Sequence, residues 1–230
     1  MSELVKKVKY EVYNLLNDDN SGHGMDHIDR VLMLSMKFAK TEKNCNKEII
    51  SLIALLHDVD DYKLFGLKNA ENLTNTKRIL DKCNVDSKIK SKILESVKCI
   101  GYSKRLKGLV PNSIEGKIVS DADMCDALGV TGILRSYKYN LKNNNRFFDK
   151  NNFPMIDMDV NTYINKKTGT VVNHIFEKLL KLKSLMLTEE GKKEANIRHE
   201  FMINFLYQFF SENNVPEWER YLSEYLNRYC

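Results

Sequence analysis

Seven of the eight residues from Ile49 to Leu56 (IISLIALL) are apolar, and the run stops on His57 and Asp58, with Asp60, Asp61 and Lys63 close behind. At helical periodicity such a run covers most of the circumference, so a helix over 47–58 must be buried on nearly all sides. Its polar end then cannot lie wholly in water. A buried imidazole or carboxylate costs roughly 2–7 kcal/mol unless it is paired, hydrogen-bonded or bound to a metal. The compensating groups have to come from elsewhere in the chain.

The remaining pattern is helical as well. Only three prolines and ten glycines punctuate the 230 residues, while Leu, Lys, Ile and Glu recur at helical spacing. An all-α protein with one large core follows, and the length suits a single domain. Five scattered cysteines without a CxxC pair, and no apolar leader after Met1, fit a reducing cytoplasm. No apolar run approaches the roughly 20 residues that span a bilayer, so the chain reads as soluble. The net charge of +5 is spread along helix faces. That distribution argues against specific nucleic-acid binding and suits small anionic substrates.

Helices are expected over 3–17, with Leu4, Val8, Val12 and Leu15 inward, and over 25–40, with Ile28, Val31, Leu32, Ser35, Phe38 and Ala39 inward. The buried helix 47–58 follows, then one over 69–82 and one opened by Asp86 or Ser87 and stopped at Gly101. Residues 103–112 read as a loop and 113–128 as a helix. The Asn-rich stretch 138–170 reads as a long loop or lid. Helices return at 171–187, 189–213 and 216–229. Asp157, Asp159 and Asn161 imitate the start of a calcium loop, but Thr162 and Thr168 replace its required Gly and Glu, so the match is rejected.

Three segments set His and Asp into apolar helices: GHGMDHIDRV with His23, Asp26 and His27; the pair His57–Asp58; and KIVSDADMCDALG with Asp121, Asp123 and Asp126. On a helix only neighbours three or four positions away can meet. Asp26 has Arg30 and Asp121 has Lys117 at that distance, whereas Asp123, His57 and Asp58 have no cation on their own helix. Two imidazoles and two carboxylates make a mixed N/O set for a divalent ion such as Mn, Mg, Ni, Fe or Zn. Such an ion activates water and neutralises phosphoryl charge. A hydrogen-bonded core histidine is the plain alternative for any one segment taken alone.

The order H…HD…D resembles the HD phosphohydrolase superfamily, an all-helical fold that binds a divalent metal, and the flanks LLHDVDDYKLFG, KIVSDADMCDALGVTGILRSY and NHIFEKLLKLKSLMLT resemble its stand-alone bacterial branch. The resemblance covers residues 22 to about 212. It implies a single HD-type helical bundle, with a core over 20–135 and C-terminal helices 171–229 packed on it. It implies His27, His57, Asp58 and Asp123 as metal ligands, and Asp61, at a position more often Glu, as the group acting on the attacking water. Met124 replaces an arginine common in the branch. Lys63, His174, Lys178 and Arg198 are the implied substrate contacts, with His199 structural. His23 either acts on a phosphate or caps the loop between Gly22 and Gly24.

The leading expectation is a metal-dependent phosphohydrolase on a nucleotide, releasing monophosphate and pyrophosphate from a nucleoside triphosphate or acting as a related phosphatase. A cyclic-nucleotide or alarmone hydrolase is the second reading. A non-catalytic helical binding module with a structural metal is the third. Ser or Cys nucleophilic catalysis is disfavoured, since no G-x-S-x-G elbow is present. A homodimer is left open.

Overall fold

Helices begin where a side chain can take up their first N–H groups. Ser2 caps α1 (Glu3–Leu16) by accepting from Val5 N. Asn46 caps α3 (Lys47–Leu56) by accepting from Glu48 N and Ile49 N, and Asp86 caps α7 (Ser87–Val97) in the same way. The computed structural model describes residues 1–17, 19, 22–158, 162 and 169–229. Among these, every regular element is a helix and no strand occurs. None of the described helices is long and apolar enough to cross a membrane. The chain divides into two compact units, Met1–Asp123 and Met124–Cys230.

In the first unit α3 is the central element. Every residue from Ile49 to Leu56 is buried, against α1, α7 and α2 (Met25–Phe38). Each fully buried Leu or Ile there contributes about 1.5–3 kcal/mol. The inward face expected for α2 is the one observed. On α1 the buried stripe is Val5, Val8, Val12 and Leu16, in place of Leu4 and Leu15 at its ends. Leu4–Val5 and Leu15–Leu16 are adjacent apolar pairs, so the pattern admits two faces, and packing on α3 selects one.

Two further boundaries differ from expectation. Instead of one helix over 69–82 there are α5 (Leu67–Asn72) and α6 (Thr74–Lys82), parted at Leu73 in the left-handed conformation with φ 50°. A short helix α4 (Tyr62–Phe65) precedes them. The supposed loop at 103–112 opens with a helical turn, α8 (Tyr102–Leu106). The next helix, α9 (Ile114–Asp126), begins close to where the sequence puts it.

The second unit holds α10 (Gly129–Lys142), α11 (Val171–Glu177), a 3₁₀ segment (Leu179–Leu185), α12 (Glu189–Glu212) and α13 (Pro216–Tyr229). The expected loop therefore starts at Asn143 rather than 138, because α10 runs on through Lys142. Its first part is fastened by aromatics. Phe148, Phe153, Phe176, Phe210 and Tyr221 surround the fully buried Trp218, whose indole N–H donates to the Lys150 carbonyl at 3.0 Å. Residues 159–161 and 163–168, which include the rest of the supposed lid and most of the rejected calcium pattern, lie outside the described residues.

Candidate metal centre

Close backbone approaches set the site's elements. Gly24 opens α2, and a Cβ there would lie 2.5 Å from the Asp19 carbonyl oxygen, so only glycine lets the chain enter the helix that carries His27. Gly116 does the same for α9. A Cβ would meet Pro111 Cβ at 2.7 Å and Ser96 Oγ at 2.9 Å, and the Ser113 hydroxyl accepts the Gly116 N–H at 3.0 Å. Asp123 follows two turns later on that helix.

His57 stands at the C-cap of α3. Its Nδ1 lies 2.8 Å from the Ala54 carbonyl oxygen. A carbonyl can only accept, so Nδ1 carries the proton, and in the neutral ring Nε2 presents its lone pair. That is the arrangement by which a metal-ligating histidine is oriented. Asp61, at the end of the following turn, caps α4 through a 2.8 Å bond from Lys63 N to Oδ1.

The separated segments converge. His27 Nε2 is 3.1 Å from His57 Nε2, 3.4 Å from Asp58 Oδ2 and 3.6 Å from Asp123 Oδ1. His57 Nε2 is 3.7 Å from Asp123 Oδ1 and 3.9 Å from Asp58 Oδ2. Most of these spacings exceed good hydrogen bonds. Donors about 2.1 Å from one shared divalent ion stand roughly 3.0–3.5 Å apart, so the set fits a cation. Both imidazoles are buried. His27, His57 and Asp123 form one tight group, and His23, Asp58 and Asp61 form a second beside it. Asp58 joins the two, since its Oδ2 is also 2.6 Å from His23 Nδ1.

Burial pushes the Asp58 carboxyl up, but the neighbouring His23 and His57 and the bonds from His23 and His27 outweigh it, holding Asp58 well below the usual carboxylate range. Asp61 goes the other way. Burial, and then the charge of Asp58, raise it against the opposing pull of His23 and Lys63. Neighbouring carboxylates pushed apart in this way are suited to different tasks, one as a fixed anion and one as a proton acceptor.

The other expected residues are placed as follows. His23 sits in the cluster, and its backbone N–H donates to Asp19 Oδ2 at 3.2 Å. Lys63 is exposed on α4, with Nζ 5.9 Å from the Tyr62 ring centre. Asp26 pairs with Arg30 at 3.2 Å. Asp121 is fully buried, and Asp126 is bound by Arg135 at 2.6 Å.

His174, Lys178 and Arg198 belong to the second unit. The helix expected over 171–187 is interrupted, because α11 ends at Glu177 and Lys178 is its C-cap. Lys181, in the 3₁₀ segment that follows, donates to the Ile156 carbonyl. Arg198 bonds Glu194 at 2.7 Å and the Cys125 carbonyl at 2.8 Å. The residue that sequence reasoning passed over is Asp60. It is 4 % exposed and lies between two members of the cluster, and helical spacing gave no sign of where its partners would be.

Residues 24–128 match the HD domain family. A Lactobacillus plantarum protein of solved structure is 31 % identical and superposes with a TM-score of 0.81, covering 93 % of this chain and 99 % of its own. An HD-superfamily hydrolase from Bacillus thuringiensis is 32 % identical with a TM-score of 0.69, over 91 % and 96 %. The uncharacterised protein YpgQ of Bacillus subtilis is 29 % identical over 223 residues, 94 % of this chain and 97 % of YpgQ. One crystal structure of YpgQ is a complex with ADP, and it shares the fold at a TM-score of 0.68 and 24 % identity, over 90 % and 97 %.

Proposed function

The chain belongs to the HD superfamily of metal-dependent hydrolases, and from that premise we propose that it hydrolyses a nucleoside triphosphate to monophosphate and pyrophosphate. The observation that carries this reading is the convergence of His27, the adjacent pair His57–Asp58 and Asp123 from three separate segments, with the two imidazoles 3.1–3.9 Å from each other and from both carboxylates. The ADP complex of YpgQ supports a nucleotide as the ligand class.

His27 Nε2, His57 Nε2, Asp58 Oδ2 and Asp123 Oδ1 would hold the cation. A divalent ion bound there supplies Lewis acidity, polarising a phosphoryl oxygen and acidifying water. The rest falls to the protein. The bond from His57 Nδ1 to Ala54 fixes the ring with its lone pair inward. Asp58 stays ionised beside His23, which holds the carboxylate at 2.6 Å. Asp61, raised by burial and by Asp58, takes the proton of the attacking water on Oδ2, while Oδ1 remains engaged at the α4 cap. Lys63, on the same short helix, neutralises the phosphate chain.

The test is a turnover screen of nucleoside triphosphates, diphosphates, cyclic nucleotides and alarmones with Mn²⁺, Mg²⁺, Ni²⁺, Fe²⁺ and Zn²⁺. Pyrophosphate and orthophosphate are read separately. Pyrophosphate release from a triphosphate, lost in Asp58→Ala with the fold retained by circular dichroism, is the expected result. Turnover confined to cyclic nucleotides or alarmones would replace the substrate, and no metal-dependent turnover of any of them would end the reading.

A further inference from the structure

We infer that Asp60 is a positioning residue of the metal centre, a buried carboxylate that locks the turn carrying His57, Asp58 and Asp61 by gripping chain 9–16 residues further on. Its Oδ1 accepts from Asn69 Nδ2 at 2.6 Å and from the Asn75 N–H at 2.7 Å. Its Oδ2 accepts from the Thr76 N–H at 2.8 Å and the Thr76 hydroxyl at 2.6 Å. Asn75 returns the contact, donating through Nδ2 to the Val59 carbonyl at 2.8 Å. The inference rests on the metal reading of the site given above.

Two features separate this from an ordinary helix cap. First, α6 has no cap of its own: its N-cap is Leu73 in the left-handed conformation, with no side-chain bond. The cap comes instead from Asp60, so the first N–H groups of α6, a favourable place for an anion, are joined to the metal turn. Second, the carboxylates of the turn divide between two tasks. Asp58 and Asp61 join the ligand cluster, while Asp60 is committed to α6.

With Val59 and Asp60 both tied, the backbone between Asp58 and Asp61 has little freedom to re-aim either neighbour. The same bonds also fix both ends of the segment that bears Lys63, at Asp60 and at Asn69. A carboxylate is required because all four contacts are donors, and only an ionised Asp offers acceptors alone. An amide at this position would set an NH₂ against either the Asn69 and Asn75 donors or those of Thr76.

Groups that orient the residues holding a metal typically change its affinity 10- to 100-fold when removed. The experiment titrates Mn²⁺ alone into metal-free wild type, Asp60→Asn and Thr76→Val by calorimetry, at a temperature where circular dichroism shows each one folded. Mn²⁺ binding at least about tenfold weaker in Asp60→Asn, with a smaller loss in Thr76→Val, is expected. A cap that serves stability only would lower the melting temperature and leave the affinity of the folded protein unchanged. Wild-type affinity in folded Asp60→Asn therefore overturns the inference by itself. Should Asp60→Asn not fold, Thr76→Val decides: weaker binding supports the role and unaltered binding refutes it. Wild-type protein that binds no Mn²⁺ would sink the metal reading, and this inference with it.

Discussion

Replacing Asp123 with Asn separates a metal-binding carboxylate from a structural one by its energetics. Without a cation, Asp123 Oδ1 stands 3.6 Å from His27 Nε2 and 3.7 Å from His57 Nε2, beyond hydrogen-bond length. The carboxylate is only 20 % exposed, so replacing it by a neutral amide in chelator relieves an uncompensated charge, and the variant should melt no lower than the wild type there. With Mn²⁺ at 100 times its dissociation constant, the wild type gains about 2.7 kcal/mol. For a chain of this size that is a rise in Tm of roughly 5–10 °C. Losing an anionic ligand weakens binding by at least about 100-fold, more than an outer-shell change does. The Mn²⁺ concentration then only matches the new dissociation constant, and the gain falls to about 0.4 kcal/mol, a shift of about 1–2 °C. Melting curves of both proteins, in chelator and in Mn²⁺, make the comparison. A variant that keeps the full Mn²⁺ shift, or that melts far below the wild type in chelator, refutes the assignment.

Asp61→Asn should lower kcat by about 10²–10⁴-fold, with the Mn²⁺-induced Tm shift retained. Because Asp61 is raised by burial and by Asp58, the acid limb of the wild-type rate profile should lie above the ordinary value of an aspartate. Survival of that limb in the variant would exclude Asp61 as its source. In the second unit, burial and then the Lys183 ammonium hold His199 below its usual value of 6.5. The unfolded chain therefore takes up its proton first, and stability falls as pH drops through the mid-6 range toward the lower folded value. His199→Gln should flatten this slope by up to about 1.4 kcal/mol per pH unit, read from urea midpoints between pH 7.5 and 5.5. Ile53→Ala, at a fully buried position in α3, should cost about 2–5 kcal/mol in chelator melts, and a cost under 1 kcal/mol would contradict the central placing of that helix.

The helices most legible in the sequence were those whose patterns admit one solution. The run Ile49–Leu56 can only be buried all round, and the inward face of α2 has a single register. Where two apolar residues adjoin, as at Leu4–Val5 and Leu15–Leu16, periodicity cannot choose the face, and the packing partner does. The break at Leu73 was hidden because neither Gly nor Pro marks it. Asp60 takes the first N–H groups of the helix that follows from 15 and 16 residues away, a separation that helical spacings of three or four do not read. Among the site residues, His27, His57, Asp58 and Asp123 stood out as polar groups interrupting apolar helices. Asp60 resembled a solvated neighbour of Asp61, and only its contacts with Asn69, Asn75 and Thr76 tell it apart.

Helix α3 stops at Leu56, and this leaves the Ala54 carbonyl for the ring of His57 rather than for the amide of Asp58. Termination of a secondary-structure element and selection of a histidine tautomer are here one folding event. The donor lone pair is thus ready before any ion arrives, and incoming charge need not wait for a ring to rotate or exchange its proton. Any change that wound α3 one residue further would gain a main-chain bond and spoil that readiness, so the length of the helix is itself under chemical constraint.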